Sequence, residues 1–321
     1  MIKLNQLLRQ GKTFMATFIA AAGSFVIGIA LPIDFPLNNL VRILDIVKVQ
    51  KQTIKPTVTP TATPTLLKVN IKLKAGVENK QNQSLLKLDD NQPNLAIPSR
   101  FQGATVNRVK LPSQQKAIAL TFDDGPWPES TVEILNILNK NQIKATFFMV
   151  GRYLKVYPDI AKKVAANGHA IGNHTWNHRY YQYNQAAAAK EIDRTTALIK
   201  EVTGMNVSMF RPPGGILTNG LAAYARKKKY TVVMWSVDSL DWRNSMQSLK
   251  QNVLRQTNSG GIILMHDGGG NRSNTVTALP SIIITLKKQG YKFVTVPELL
   301  QIQEKEMKNN HKNHQLVQNV N

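Results

Sequence analysis

From Ala117 onward the chain alternates short apolar runs with longer segments whose apolar residues recur every three or four positions. The runs at 117–122, 145–150, 169–172, 207–210, 231–236, 262–265 and 292–296 have the length and composition of strands. The segments at 130–140, 158–167, 186–202, 219–229, 246–256 and 277–288 have the period of helices. Val132, Leu135 and Leu138 share one face of the first; Ile192, Leu198, Ile199 and Val202 are candidate core residues of the third. Gly168 is a stop signal for the second helix. Regular strand–helix alternation predicts a parallel sheet or barrel. With about seven strands, the expectation is an α/β fold, a (β/α) barrel that is distorted or incomplete.

The chain ahead of this pattern reads differently. Lys3, Arg9 and Lys12 precede an uncharged, largely apolar stretch, Thr13 to Ile33, which Asp34 ends. About twenty residues span a bilayer as a helix. The stretch exceeds a cleavable signal's apolar core, and Ala30-Leu31-Pro32 makes a poor cleavage site. It predicts an N-terminal membrane anchor, or uncleaved signal, over 1–34, with a signal cleaved before secretion as the alternative. Basic residues stay on the cytoplasmic side, so the remainder is expected outside the cytoplasm, in a bacterial-type cell envelope. Residues 35–105 are expected to be a stalk and linker, partly disordered. Within them KPTVTPTATPT, at 55–65, favours an extended tether. The strand–helix region sets a catalytic domain at 106–303, followed at 304–321 by a basic polar tail rich in Lys, Asn, Gln and His that is expected to be disordered.

Composition narrows the chemistry. The 321 residues contain no cysteine, which excludes disulfides, thiolate metal sites and cysteine nucleophiles. A formal net charge of +22 points to anionic surfaces such as wall polymers or acidic lipid. No zinc-finger spacing or RNA-binding aromatic signature accompanies it, so no specific nucleic acid is expected, and no protein partner is predicted.

The polar residues that follow the predicted strands are the candidate site. Asp123 and Asp124 end the first, ahead of Gly125 and Pro126. Adjacent strand residues point to opposite sides, so the two carboxylates suit separate roles, one on a metal and one on a proton; an ordinary Asp-Gly-Pro turn is the plainer reading. His174 and His178 are four apart in a predicted loop, a spacing that lets two imidazoles share one metal ion in a helical turn. Two His and one Asp leave zinc open positions, as in catalytic sites, and Thr175 is placed to support a ligand. Arg211 opens Arg-Pro-Pro-Gly-Gly and suits a carboxylate partner, or simply a surface turn. Asp238, Asp241, His266 and Asp267 follow two further strands.

Five stretches taken together resemble the motifs of the polysaccharide deacetylase family, the NodB-homology domain of carbohydrate esterase family 4. They are Thr-Phe-Asp-Asp-Gly-Pro at Thr121, His-Thr-Trp-Asn-His at His174, Arg-Pro-Pro-Gly-Gly at Arg211, Asp-Ser-Leu-Asp-Trp at Asp238 and Leu-Met-His at Leu264, in family order across about 116–300. The resemblance implies a metal triad of Asp124, His174 and His178, a general base at Asp123 held by Arg211, and a general acid at His266 oriented by Asp241. It implies that Trp242 and Leu264 wall the acetyl pocket. The family commonly has Tyr where this chain has Gly214; the backbone N–H that the family turns toward the oxyanion is kept, and the side-chain wall is not.

The implied cofactor is a divalent metal, Zn2+ first and Co2+, Ni2+ or Mn2+ as alternatives. The implied activity is hydrolytic removal of N-acetyl groups from N-acetylglucosamine residues of a cell-envelope polysaccharide, most plausibly peptidoglycan. Alternatives on the same scaffold are an exopolysaccharide or chitooligosaccharide substrate, O-acetyl ester hydrolysis, or glycan binding without catalysis. A glycosidase using Asp123 and a second carboxylate is a weaker reading.

Overall fold

The structure, a computed structural model, describes Met15–Ile19, Val26–Ala30 and residues 96–318 apart from 113. The chain divides into two units, Met1–Asn79 and Lys80–Asn321.

In the first unit β1 (Met15–Ile19) and β2 (Val26–Ala30) pair antiparallel, with Met15 opposite Ala30 and Ile19 opposite Val26. This corrects the expected helix over Thr13 to Ile33. Thr17, Phe18 and Ile19 on one strand and Val26, Ile27 and Ile29 on the other are β-branched or aromatic and favour extended backbone. Gly28 is a poor interior helix residue. Among the described residues no helix is long and apolar enough to cross a membrane. Most of the expected stalk and tether lies outside the described residues.

The second unit holds a nine-stranded, all-parallel ladder. Its strands are β3 (Thr105–Val106), β4 (Ala117–Asp123), β5 (Thr146–Met149), β6 (Ala170–Asn173), β7 (Met209–Phe210), β8 (Thr231–Val233), β9 (Val237–Asp238), β10 (Ile262–His266) and β11 (Lys292–Val294). Their order is β3-β8-β7-β6-β5-β4-β10-β9, with β11 also paired to β4. β4 is the hub. β10 pairs along 119–123 on one side; β5 takes 121–123 and β11 takes 117–119 on the other. All seven residues of β4 are buried, as expected of a parallel strand covered on both faces.

The ladder is not closed by hydrogen bonds, yet it curls. β8 neighbours one end strand and β9 is the other end strand, and only 234–236 connect them. A connection of three residues spans at most roughly 13 Å, so the two flanks must approach each other. The result is the distorted barrel that the alternation predicts. The expected strand 231–236 is strand only at Thr231–Val233, with a further short strand beyond it at Val237–Asp238, and β3 adds a strand that its brief, polar-flanked sequence does not signal.

The helices are α1 (Ser130–Lys140), α2 (Gly151–Val156), α3 (Pro158–Ala166), α4 (Gln185–Thr203), α5 (Leu221–Lys227), α6 (Met246–Gln256), α7 (Ser273–Lys288) and α8 (Val296–Gln318). α1 buries Thr131, Ile134, Leu135 and Leu138, leaving Val132 half-buried. α4 is capped by the Asn184 side chain and ends at Gly204, φ 74°, the left-handed residue that closes many helices. Its buried stripe is Ala188, Glu191, Ile192, Thr195 and Ile199, so a carboxylate sits among core positions.

α8 corrects the expected disordered tail. A capping box opens it: Thr295 N–H donates to Glu298 Oε2 at 2.6 Å and Glu298 N–H donates to Thr295 Oγ1 at 3.4 Å. Leu299, Leu300 and Ile302 are buried. Beyond them Gln, Glu, Lys and Met are good helix formers, and Glu304 pairs with Lys308 at 3.2 Å. A nucleated helix therefore continues through polar sequence that would not fold alone. At the other end, the packed unit extends ahead of the expected start at Val106, since Ile97 and Phe101 are buried and Thr231 Oγ1 donates to Phe101 O at 2.8 Å.

Candidate active site

The C-terminal ends of β4, β6, β7, β9 and β10 deliver the predicted residues to one cleft of about 520 Å³. Asp123 and His266 are direct register partners on β4 and β10. In α/β folds this end is where side chains from different strands converge.

Asp123 remains in strand geometry and faces Arg211. The next residue leaves it: Asp124 has φ 74°, in the left-handed region that Asp tolerates better than most residues. Its carboxylate thereby turns to the histidines. Asp124 Oδ1 lies 3.1 Å from His178 Nε2 and 3.6 Å from His174 Nε2, and the imidazole centroids are 4.8 Å apart. The ligand atoms of the three residues all fall within 4.8 Å of one another.

This cluster fits a metal. His174 Nδ1 lies 2.7 Å from the Arg211 carbonyl oxygen, so Nδ1–H donates there and Nε2 presents a lone pair to Asp124. Asp124 Oδ1 is buried without a hydrogen-bond donor. Burial, with His178 adding to it, lowers the His174 pKa to about 3, so the ring is neutral, the form that ligates. A buried carboxylate oxygen that lacks a donor and faces two imidazoles is costly unless a cation satisfies it. One Asp and two His with room for further ligands is a donor set suited to catalytic zinc.

The loop carrying the histidines is held from outside. Thr175 and His178 both have positive φ, 67° and 54°, an uncommon conformation that its surroundings must enforce. Thr175 Oγ1 accepts from His178 N at 3.1 Å, which is the expected support. Glu191 on α4 does more. Its Oε2 accepts from the N–H groups of Trp176 and Asn177 at 2.9 and 2.8 Å, and its Oε1 from Asn177 Nδ2 at 2.7 Å. Asn173, the last residue of β6, accepts from Thr175 N and donates to Ile192 O.

Arg211 is fully buried. Its Nη1 donates to Asp123 Oδ1 and to Thr121 Oγ1, both at 2.7 Å; Nε donates to Val233 O at 2.9 Å and Nη2 to Met234 O at 3.3 Å. It is thus no surface arginine. Burial raises the Asp123 pKa even though Arg211 opposes it.

On the opposite side, His266 Nδ1 lies 2.6 Å from Asp241 Oδ1, and His266 N–H donates to Asp241 Oδ2 at 2.8 Å. Thr275 Oγ1 also donates to Oδ2, at 2.7 Å. Burial disfavours a charged ring, but the Asp241 hydrogen bond and charge outweigh it and lift the His266 pKa to about 9. Leu264 is buried and lines the cleft, whereas Trp242 is 56% exposed on its rim, 5.0 Å from the Arg243 guanidinium.

Gly214, φ 60°, lines the cleft as well. A Cβ there would sit 2.9 Å from Tyr180 Cε1. The Tyr180 ring packs edge-on to His178, centroids 5.3 Å apart, and occupies the space beside the missing side chain. Tyr180 was not legible as a site residue, and neither was Glu191; Asp267 stood out only as a polar residue after a strand, with no role. Asp267 is fully buried, accepts from Gly125 N at 3.1 Å and from Thr131 Oγ1 at 2.6 Å, and thereby fixes the turn after Asp124. Glu191 lies 17 residues beyond His174 in a helix pattern, where only its place in an apolar stripe hints at burial.

The polysaccharide deacetylase family model matches residues 110–233. A peptidoglycan-N-acetylglucosamine deacetylase of Bacillus cereus is 41% identical over 194 residues, 60% of this chain and 91% of that protein. The peptidoglycan-N-acetylmuramic acid deacetylase PdaC of Bacillus subtilis is 33% identical over 67% of this chain and 44% of its own length. Among solved structures, a peptidoglycan N-acetylglucosamine deacetylase in complex with 4-naphthalen-1-yl-N-oxidanyl-benzamide superposes with a TM-score of 0.59 at 34% identity, covering 63% of this chain and 94% of that one. With its curled parallel barrel and a relative matched over nine-tenths of its length, the chain belongs to the polysaccharide deacetylase family.

Proposed function

We propose that the protein is a metal-dependent deacetylase of N-acetylglucosamine residues in peptidoglycan, acting in the cell envelope outside the cytoplasm, with catalysis confined to the unit that begins at Lys80. The observation that carries this reading is the Asp124–His174–His178 cluster, with a buried Asp123–Arg211 pair on one side and a His266–Asp241 pair on the other. The two named relatives act on peptidoglycan, and the strongly basic chain suits an anionic wall polymer.

Asp124, His174 and His178 are the residues that would hold the ion, zinc first; cobalt, nickel and manganese suit the same nitrogen and oxygen donors less selectively. When bound, the ion supplies Lewis-acid polarisation of the acetyl carbonyl and a water acidified toward a pKa of about 7. Asp123 accepts the proton of the attacking water, and its raised pKa suits it to that task. Arg211 fixes the carboxylate that does so. The Gly214 N–H is the oxyanion donor supplied by the chain. His266, protonated at neutral pH because of Asp241, gives its proton to the departing amine.

The test is acetate release from peptidoglycan and from N-acetylglucosamine oligomers, with chelator and with zinc restored. Chelator-sensitive release from peptidoglycan supports the reading. Asp123→Asn is expected to bind zinc normally and release no acetate; turnover by that variant would remove Asp123 from the mechanism.

A further inference from the structure

Of the arginines at or beside the cleft, Arg211 and Arg272 lie within ion-pair distance of a site carboxylate. Arg211 is paired with Asp123. Arg272 donates from Nε to Gly268 O at 2.6 Å, with Nη2 3.9 Å from Asp124 Oδ2. Arg152 is different. It is the second residue of α2, whose first turn is tied to the metal-ligand loop: Gly151 N–H donates to Thr175 O at 2.9 Å and Arg152 N–H to Trp176 O at 3.1 Å. Its side chain lines the cleft. Nη2 donates to the Tyr153 hydroxyl at 2.6 Å, and the guanidinium carbon lies 4.5 Å from the Tyr153 ring centroid. Its Nε is buried with no acceptor. Among the described residues no carboxylate lies within ion-pair distance of Arg152. The carboxylates of the cleft are committed elsewhere: Asp123 to Arg211, Asp124 to the histidines, and Asp238 Oδ1 to the Leu240 N–H.

A rigidly based guanidinium on a substrate-facing wall, with no carboxylate partner among the described residues, suits an acidic group of the ligand. The planar fork matches a carboxylate. Tyr153, itself on the cleft wall and edge-on to Trp127 at 5.0 Å between centroids, supplies an aromatic surface for a sugar ring beside it. We propose that Arg152 and Tyr153 form a carboxylate-binding subsite, through which the enzyme reads an acidic group carried by the glycan near the acetylated sugar. The inference rests on the deacetylase reading for the position of the reacting sugar, but its test does not require turnover.

Metal-free full-length protein, wild type, Arg152→Ala and Arg152→Lys, is titrated calorimetrically with three ligands: peptide-free peptidoglycan strands, the same strands with carboxyls reduced to alcohols, and neutral N-acetylglucosamine oligomers. Arg152→Ala is expected to weaken binding of the carboxylate strands about ten-fold or more, as loss of a charge-assisted contact does. Lys is expected to recover only part, and the other two ligands to bind all three proteins alike. Equal weakening for all ligands, no weakening, or no binding by the wild type overturns it. Failure of the deacetylase reading shows separately, as absence of acetate release by the zinc-loaded wild type.

Discussion

The Nδ1 of His174 and the backbone carbonyl of Arg211 are 2.7 Å apart, so one residue organises both halves of the site. The Arg211 carbonyl sets the His174 tautomer, and its guanidinium holds Asp123. Arg211→Ala removes the partner of a fully buried carboxylate, and a broken buried pair costs roughly 3–5 kcal/mol. A large fall in melting temperature with loss of activity is expected. Arg211→Lys keeps a charge but loses the fork to Val233 O, Met234 O and Thr121. It is expected to fold and bind zinc while its rate of acetate release falls; an unchanged rate would show that the fork is not needed to aim Asp123.

The His266–Asp241 pair sets a pH limit. With a pKa lifted to about 9, His266 is protonated through neutrality, and a general acid is lost as pH rises through that value. The upper limb of kcat/KM against pH is expected near 9. Asp241→Asn removes the charge that outweighs burial, so that limb moves to lower pH. The same shift bears on stability: a folded pKa above the unfolded 6.5 gives a contribution fully present below about 6.5 and lost as pH rises through about 9. An upper limb that stays in place in Asp241→Asn refutes the assignment.

Glu191 does not line the cleft, yet it holds the loop from which His174 and His178 project. Removing its three accepted hydrogen bonds in Glu191→Ala frees a segment with two positive-φ residues. Outer residues that orient ligands are typically worth 10–100-fold in metal affinity, and a zinc competition assay is expected to read a loss of that size. Zinc affinity equal to the wild type would leave Glu191 a purely structural residue.

Gly125 has no room to change. A Cβ there would lie 2.2 Å from Asp267 Oδ2 and 2.6 Å from its carboxyl carbon, and Asp267 is buried and held by Thr131. Overpacking of this kind costs roughly 1–3 kcal/mol. Gly125→Ala is expected to lower the melting temperature by several degrees, at about 2–4 °C per kcal/mol for a unit of this size. An unshifted melt would mean that the Asp267 contact yields freely.

Much of this protein is settled by local sequence. Ala117–Asp123 is a buried strand because seven consecutive residues suit no solvent-facing alternation, and Met246–Gln256 is a helix because period, Ser245 cap and length agree. The strand ends are legible for the same reason, so Asp123, Asp124, His174, His178, Arg211, Asp241 and His266 stand out as polar residues at breaks in apolar runs. The two clear departures are Thr13 to Ile33 and 304–321. Hydropathy reports apolar length without saying whether helix or strand carries it, and polarity hides a helix whose nucleus is the buried Leu299–Leu300 turn. What only the tertiary structure decides is which distant groups meet. Tertiary packing brings Arg211 to Asp123, 88 residues away in sequence, and Glu191 to Trp176 across the loop. It also places the Tyr180 ring against Gly214. Such pairings depend on strand order and on the φ of single residues such as Asp124, quantities to which neither composition nor periodicity is sensitive.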